Sequence, residues 1–328
     1  MNRAIACENS IPTPETDVVQ LDSAHYCSVE EMQEACEKNG WSIEFRQLQA
    51  GKLTSSMARG MCADISLLDQ QVSRRFEVVG EAPDGYVTVM APVGRAEFRV
   101  NGQSFCGQGL FLLGSCTEFH SVNNDVLRVL MMNVPTSLLQ QTGCRTLDTR
   151  EDHLRCQTLI IEPGAAIVQH LRSLMHATIH QASPGRWQVE RAFRLATDLA
   201  TIIDQVHKAP MKTCRTSRRI IWSTISRARE YIEAHLAEPI SISKLSEYSA
   251  TSLSKLERTF RRELQMSPSQ YILARRLAAV NRELNQHSSS GRKVAQIAMD
   301  HGFQHLGRFA GAYRAHFGEL PSETIGLR

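Results

Sequence analysis

A basic amphipathic stretch from Leu253 to Leu264 carries the strongest chemical signal in the sequence. Leu253, Leu256, Phe260 and Leu264 recur at helical spacing, which predicts a helix with one apolar face. The opposite flank presents cationic and hydroxyl side chains, groups that bond to phosphates and to the edges of bases. The members of this flank are Ser252, Ser254, Lys255, Glu257, Arg258, Arg261 and Arg262.

These residue types predict that some side chains contact the bases of double-stranded DNA and others its phosphates. Arg258 can bond to guanine through two hydrogen bonds, and Glu257 can accept one from cytosine. Lys255, Arg261 and Arg262 suit phosphates, which position a protein without reading sequence. A short helix and a turn precede this stretch, so residues 242–264 form a predicted helix-turn-helix whose second helix enters the major groove.

A second unit of the same kind is predicted over residues 293–317. Four residues that can bond to DNA stand at the N-terminal end of its second helix: Gln304, His305, Gly307 and Arg308. A connecting helix is predicted over 268–284, with Ser267 as its N-cap and Pro268 at its first position. Its length of roughly 25 Å, together with the turns at its ends, suits two contacts about 34 Å apart on one face of DNA.

The charge of the chain is divided in the same way. Residues from Pro210 to Arg328 contain 19 Lys and Arg against 10 Asp and Glu, a net charge of +9, whereas the preceding residues carry −6. A basic C-terminal third on an acidic body predicts a polyanionic partner for the C-terminal part.

The C-terminal residues 218–325 resemble the DNA-binding domain of the AraC/XylS family of bacterial transcription regulators. The matching residues are Leu245, Ser252, Leu256, Arg258, Phe260, Ser267-Pro268, Tyr271, Arg276-Leu277, Val294-Ala295, Ile297-Ala298, Gly302-Phe303, Phe309, Phe317-Gly318 and Pro321. The resemblance implies an all-α domain over 218–328 that reads DNA with two helix-turn-helix units. It also implies that Ser254, Glu257 and Arg258 face the bases.

The sequence departs from the family pattern at two positions. Gln265 stands where the family usually has glycine, and Gly311 stands where many members have arginine. The second departure predicts one strong reader and one weaker anchor, with Arg308 as the main contact of the anchor. The stretch around Gly302-Phe303 resembles the branch that contains the ethanolamine-utilisation regulator.

The N-terminal part is predicted to be a cupin-like β-barrel followed by a helical hairpin, so that the whole chain is α+β. Residues 1–27 are expected to form a loose arm, and a capping pattern at Ser28 predicts a helix to Lys38. Short strands over 41–134, divided by turn residues, favour a sandwich or a small barrel that can hold one ligand. The predicted strands are 42–49, 53–62, 65–70, 75–80, 86–91, 96–100, 109–113, 118–122 and 126–134.

Helices are expected over 135–207, and a linker over 208–217 divides the N-terminal domain (1–207) from the DNA-binding domain. The apolar stripes of the two longer helices fit packing on the barrel and also fit a dimer interface, and both alternatives stay open. His176 and His180 stand four residues apart in this hairpin, but no third ligand completes a metal site.

The sequence offers no sign of an enzyme, a metal or another cofactor. His120 has no histidine two residues away, so the His-x-His pair of metal-binding barrels is missing. Nine cysteines without a C-x-x-C pair fit reduced, mostly buried side chains. No apolar run is long enough to span a membrane, and the first residues lack a secretory core, which predicts a cytoplasmic protein, on the nucleoid when it binds DNA.

The expected function is therefore sequence-specific regulation of transcription, with activation implied by the family resemblance. A small-molecule effector of unknown identity would bind the N-terminal domain, and the expected partners are promoter DNA, RNA polymerase and a second copy of the chain. The alternative is an effector-independent regulator whose barrel serves only dimerisation.

Overall fold

The structure is a computed structural model of the chain. It describes residues 22–26, 28–38, 40–62, 64–94, 97–106, 109–123, 126–144, 158–161, 166–180, 185–208, 215–286 and 292–326.

The described residues of the N-terminal part contain twelve antiparallel strands, which form two sheets. The first sheet, sheet A, has the order β1-β3-β4-β11-β6-β9-β12, and the second, sheet B, has the order β2-β5-β10-β7-β8. The strands are β1 Asp22–Tyr26, β2 Ser42–Gln47, β3 Ser55–Cys62, β4 Ile65–Val72, β5 Phe76–Glu81, β6 Tyr86–Val93, β7 Glu97–Val100, β8 Gln103–Cys106, β9 Leu110–Leu113, β10 Glu118–Asn123, β11 Leu127–Pro135 and β12 Thr158–Ile161.

The helices flank the sheets and build the C-terminal domain. Alternate side chains point to opposite faces of a strand, so each sheet has an inner face toward the other sheet and an outer face under helices. The helices are α1 Val29–Glu37, α2 Thr136–Gln141, α3 Ala166–His180, α4 Gly185–Lys208, α5 Arg215–Ala234, α6 Ile242–Tyr248, α7 Leu253–Leu264, α8 Pro268–Gln286, α9 Val294–Asp300, α10 Leu306–Phe317 and α11 Pro321–Gly326.

The described strands form two separate sheets and not a closed barrel, so of the two predicted alternatives, a sandwich or a small barrel, the sheets fit the sandwich. Sheet order depends on hydrogen bonds between distant segments, which local patterns do not reveal. Part of the predicted arm also takes a defined structure, since β1 pairs with β3 from Asp22↔Arg59 to Tyr26↔Ser55. The rest of the arm lies outside the described residues.

Strands β8 and β12 were absent from the prediction. β8 follows a turn at Asn101-Gly102 and pairs with β7. β12 lies between α2 and α3, in the range where helices were expected, and it pairs with β9. The nine predicted strands are otherwise present, with ends that shift by one or two residues.

The helical hairpin of α3 and α4 packs on the outer face of sheet A. Its apolar stripe includes the buried Val168, Leu171, Leu195 and Leu199, which contact Leu67 and its neighbours. Of the two predicted roles for this stripe, packing on the β-structure and a dimer interface, the first explains why these residues are buried. The predicted linker at 208–217 is shorter than expected, because its first residue ends α4 and its last three begin α5. Residues 209–214 lie outside the described ranges.

The C-terminal domain has two small cores that share α8. Tyr271 and Ile272 in the first half of α8 pack with α5, α6 and α7. Leu277 and Val280 in the second half pack with α9 and α10. The helix pairs α6–α7 and α9–α10 lie on either side of α8, which runs two residues further than the predicted connecting helix, to Gln286.

Candidate nucleic-acid interface

The first candidate recognition helix, α7, begins at a capped N-terminus. The Ser252 hydroxyl accepts a hydrogen bond from the backbone N–H of Lys255 at 3.4 Å. Leu256, Phe260 and Leu264 are fully buried on the inner side of α7. The helix is therefore fixed by its apolar face, and its first turns project their other side chains outward.

The predicted DNA-facing residues of α7 are nearly all exposed, but two of the arginines are engaged. Arg261 pairs with Glu257, with Nη2 2.9 Å from Oε1, and Arg262 pairs with Glu263, with Nε 2.7 Å from Oε1. Such exposed pairs contribute little stability and exchange readily for phosphate. The remaining exposed members are Ser252, Ser254, Lys255 and Arg258, and Glu257 is half-buried.

The second candidate recognition helix, α10, exposes its N-terminal end in the same way. Gln304, His305, Gly307 and Arg308 are exposed, and the side chain of the N-cap residue His305 makes no capping hydrogen bond. Free backbone N–H groups at a helix N-terminus attract phosphate. A Cβ atom added at Gly307 would meet no atom within 4 Å, so this surface is open.

The two helix-turn-helix units are held together by contacts at Gly302, in the turn between α9 and α10. Gly302 has φ +81°, and a Cβ atom there would lie 2.9 Å from the Leu236 carbonyl oxygen. Arg276 of α8 donates to the same carbonyl at 2.8 Å. With α8 as a common rod of 19 residues, roughly 28 Å long, the two recognition helices have a fixed separation.

Both recognition helices contact the N-terminal sheets at their C-terminal ends. Arg75 after β4 donates to the Leu264 carbonyl oxygen at 3.0 Å, and Arg99 of β7 bonds to Glu263 at 2.9 Å and to the Arg262 carbonyl oxygen. The backbone N–H of Gly51 donates to the His316 carbonyl oxygen at 2.9 Å. The N-terminal ends, which carry the candidate DNA contacts, remain exposed.

A buried carboxylate anchors the C-terminal domain on the outer face of sheet B. Glu77 is 0% exposed and accepts a hydrogen bond from Tyr271 Oη at 2.7 Å. Its Oε1 atom lies 2.6 Å from His120 Nε2 and 3.2 Å from Arg229 Nε. Its Oε2 atom lies 3.4 Å from Arg46 Nη1.

These partners determine the charge of the cluster. Burial disfavours the carboxylate, but Arg229, His120 and Arg46 together hold the pKa of Glu77 well below its ordinary value. Burial also lowers the pKa of His120, so the neutral imidazole donates its Nε2–H to the carboxylate. Glu77 is thus an ionised residue that joins β5 and β10 to α5 and α8.

A second set of charges extends this contact along α8. Arg275 is 1% exposed and pairs with Glu233 of α5 at 2.5 Å and with Glu44 of β2 at 3.2 Å. Arg46 Nη2 lies 2.7 Å from Glu44 Oε2, and together the arginines lower the pKa of Glu44 to about 2. The interface between the two domains is therefore densely charged.

A cavity of about 280 Å³ lies between the inner faces of the two sheets. Its walls include Phe45, Phe76, Phe119 and Val129, which makes the lining mainly apolar. The sheet B wall belongs to the same strands that hold the C-terminal domain. In β5, Phe76 and Val78 line the cavity, whereas the residue between them is the interdomain carboxylate Glu77.

Sequence reasoning predicted the helices α7 and α10 but missed the charged cluster between the domains and the cavity lining. His120 was treated as an isolated strand histidine, and the structure places it against Glu77. Charged residues that alternate with apolar ones within strands, as in Glu44 and Arg46, were an available signal of a covered outer face.

The structure also bears on a metal site at His176 and His180 and on membrane-spanning helices. His176 and His180 lie with ring centroids 4.5 Å apart, and His180 Nε2 bonds to Asp69 at 2.7 Å. No group of three metal-binding side chains is found among the described residues. Within the same ranges, none of the helices has the length and apolarity to cross a membrane.

Comparison with known proteins places the C-terminal domain. Residues 245–326 match the family described as Helix-turn-helix domain. The XylDLEGF operon transcriptional activator of Pseudomonas putida is 39% identical over 102 residues, which are 31% of this chain and 32% of that protein. The HTH-type transcriptional regulator ArgR of Pseudomonas aeruginosa is 35% identical over 97 residues, 30% of this chain and 29% of that protein.

A solved structure of an AraC-type transcriptional regulator from Chromobacterium violaceum is 30% identical, covers 32% of this chain and 90% of that chain, and has a TM-score of 0.30. The matches thus span about a third of the length of the curated relatives. They coincide with the two helix-turn-helix units and confirm the resemblance read from the sequence. The comparisons support an AraC/XylS-type transcriptional regulator, and the similarity that they find lies in the C-terminal domain.

Proposed function

We propose that the chain is a sequence-specific activator of transcription whose affinity for promoter DNA is set by a small effector in the cavity between the sheets. The observation that supports this proposal is the position of sheet B. One face of its central strands lines the cavity, and the other face holds the domain that carries the recognition helices.

The proposed DNA contacts follow from exposure and charge. Arg258 is exposed near the N-terminus of α7, and no acidic side chain of the described residues lies within ion-pair distance of it. It would read guanine, with Ser254 and Glu257 beside it, while Lys255, Arg261 and Arg262 would bind phosphates. Ser252 and the α10 residues Gln304, His305, Gly307 and Arg308 would hold the backbone.

The effector step is proposed to work through population shift. An effector that binds more tightly when sheet B holds one shape favours the domain arrangement coupled to that shape. By linkage, promoter DNA then strengthens effector binding by the same factor. The cavity favours this proposal over the alternative of an N-terminal domain that serves only dimerisation, because such a domain would have an interior filled by large side chains.

The proposed domains are residues 1–207 for effector binding, 208–217 for the linker and 218–328 for DNA binding. We include a homodimer in the proposal, because Phe193 on the outer side of α4 is 51% exposed. A Phe193→Glu variant that stays dimeric in light scattering would contradict a contact at this residue. Contact with RNA polymerase is proposed for promoter-bound protein and is tested by transcription in vitro.

The DNA proposal is tested on sequences that the full chain selects from a random DNA pool. Arg258→Ala should weaken binding to the selected sequence by roughly 1–3 kcal/mol and relax one base position. Arg194→Ala, at an exposed arginine on α4, is the matched control and should bind normally. Equal weakening on all sequences would show that Arg258 contacts only phosphate.

The effector proposal is tested separately by measuring affinity for the selected DNA with and without a saturating ligand. A change in affinity with the ligand, mirrored by a change in ligand affinity with DNA, supports the coupling. Equal affinities would favour the effector-independent regulator.

A further inference from the structure

The buried amide of Gln70 points to the chemistry of the ligand. Gln70 lies in the middle of β4, is 4% exposed and lines the cavity. Its neighbours across the sheet are Met57 in β3 and Val129 in β11, which offer no side-chain oxygen. Its Nε2 group has no hydrogen-bond partner among the described residues.

An unsatisfied buried donor is unusual, because leaving it unpaired costs roughly 1–3 kcal/mol. Other amides in the cavity wall are engaged. Asn133 donates to Ser66 Oγ at 3.0 Å and accepts from Thr88 at 2.8 Å. Asn123 accepts from the backbone N–H of Phe76 at 2.7 Å. Gln70 therefore places an unpaired, buried amide donor in the wall of an apolar cavity.

The charge of the wall limits the ligand further. Among the described residues, no aspartate or glutamate lines the cavity, and Arg59 is the one charged side chain in its wall. Arg59 is tied by its Nη2 group to the Ala35 carbonyl oxygen at 2.9 Å. A cationic ligand would lose its hydration without gaining an anion and would face this guanidinium.

The volume of the cavity limits the size of the ligand. A dry cavity of about 150 Å³ is enough to hold benzene, so the 280 Å³ here accommodates one substituted ring or two small rings. The lining is apolar on most sides, which favours an apolar body for the ligand.

We propose that the cavity binds a small, mainly apolar molecule without positive charge, whose hydrogen-bond acceptor pairs with Gln70 Nε2. This inference rests on the proposed function, since it specifies the effector class for the same cavity. It disfavours amines, which are protonated at neutral pH.

The test uses three probes of nearly equal shape: acetophenone, isopropylbenzene and 1-phenylethylamine. They present an acceptor, a hydrocarbon and a cation at neutral pH, in that order. Dissociation constants come from the rise of Tm with probe concentration in the full chain. We expect acetophenone to bind most tightly and the protonated amine most weakly.

The variant Gln70→Leu should weaken acetophenone binding by about tenfold and leave isopropylbenzene binding unchanged or tighter. Gln71→Leu is the matched control, because Gln71 is the next residue of the same strand and is exposed; it should change neither constant.

Three results would overturn the inference: no probe raises Tm, the amine binds as tightly as the ketone, or Gln70→Leu leaves the ketone unaffected. The probe measurement involves no DNA. If the probes bind in the expected order but leave DNA affinity unchanged, the effector coupling of the proposed function fails and the ligand class stands.

Discussion

The buried Glu77 gives the sharpest test of the contact between the two domains. Glu77→Gln keeps the size of the side chain and removes its negative charge. Arg229 then loses the ion pair at 3.2 Å, and the buried His120 and Tyr271 lose a charged hydrogen-bond acceptor. Breaking a buried pair by neutralising one partner typically costs 3–5 kcal/mol.

The lower end of that range applies here, because Arg46 keeps a second carboxylate, Glu44, at 2.7 Å. We therefore expect Glu77→Gln to lower the free energy of unfolding by about 3 kcal/mol. The assay is urea unfolding of the full chain at neutral pH, followed by far-UV circular dichroism. Glu81→Gln, on the same strand but exposed, is the control and should lie within about 0.5 kcal/mol of the wild type.

The dependence on pH provides an independent check. The pKa of folded Glu77 is well below its ordinary value of 4.5, so its contribution is present above that value and is lost as pH falls further. The difference between wild type and Glu77→Gln should therefore shrink in acid. A variant as stable as the wild type at neutral pH would refute the buried ionised carboxylate and its role in holding α5 and α8.

Three further predictions concern the C-terminal domain. Gln265 caps α7 with φ +55°, so Gln265→Gly should raise the free energy of unfolding by about 1 kcal/mol in urea titrations; a loss of stability would contradict the strain. Gly311 is exposed, and a Cβ atom there meets nothing within 4 Å. Gly311→Arg should therefore tighten binding to the selected DNA and steepen its salt dependence by about one charge, whereas an unchanged salt slope would place this surface away from the phosphates. Burial lowers the pKa of His316 from 6.5 to about 4; the unfolded chain takes up this proton first, so stability should fall by up to about 3 kcal/mol as pH drops through that window. His316→Gln should flatten that part of the pH profile, and an unchanged profile would show that His316 is not buried in its neutral form.

The local parts of the fold were predictable because their causes are local. Ser28 and Ser252 cap helices in the positions that their spacing indicates. The apolar stripe through Leu256 and Phe260 is buried as its period requires. Gly302 takes the left-handed conformation between α9 and α10 that a tight turn there demands.

The strand order and the buried polar contacts depend on pairs of residues that lie far apart in sequence. His120 and Glu77 are separated by 43 residues and meet only because β10 pairs with β5. Whether sheets close into a barrel is decided by the order of strands rather than by their patterns, and that order was missed. The free donor of Gln70 was also beyond sequence reasoning, since an amide is satisfied or unsatisfied only in its final surroundings.

The rigid joint at Gly302 has a consequence for the DNA that the chain can use. With Gly302 held against the Leu236 carbonyl oxygen and α8 passing through both cores, neither recognition helix can move far without the other. One inserted base pair between the two contact sites would shift them by about 3.4 Å and turn them by roughly 35°. On the proposed binding mode, operators for this protein would therefore tolerate base substitutions between the two contact sites better than inserted or deleted base pairs.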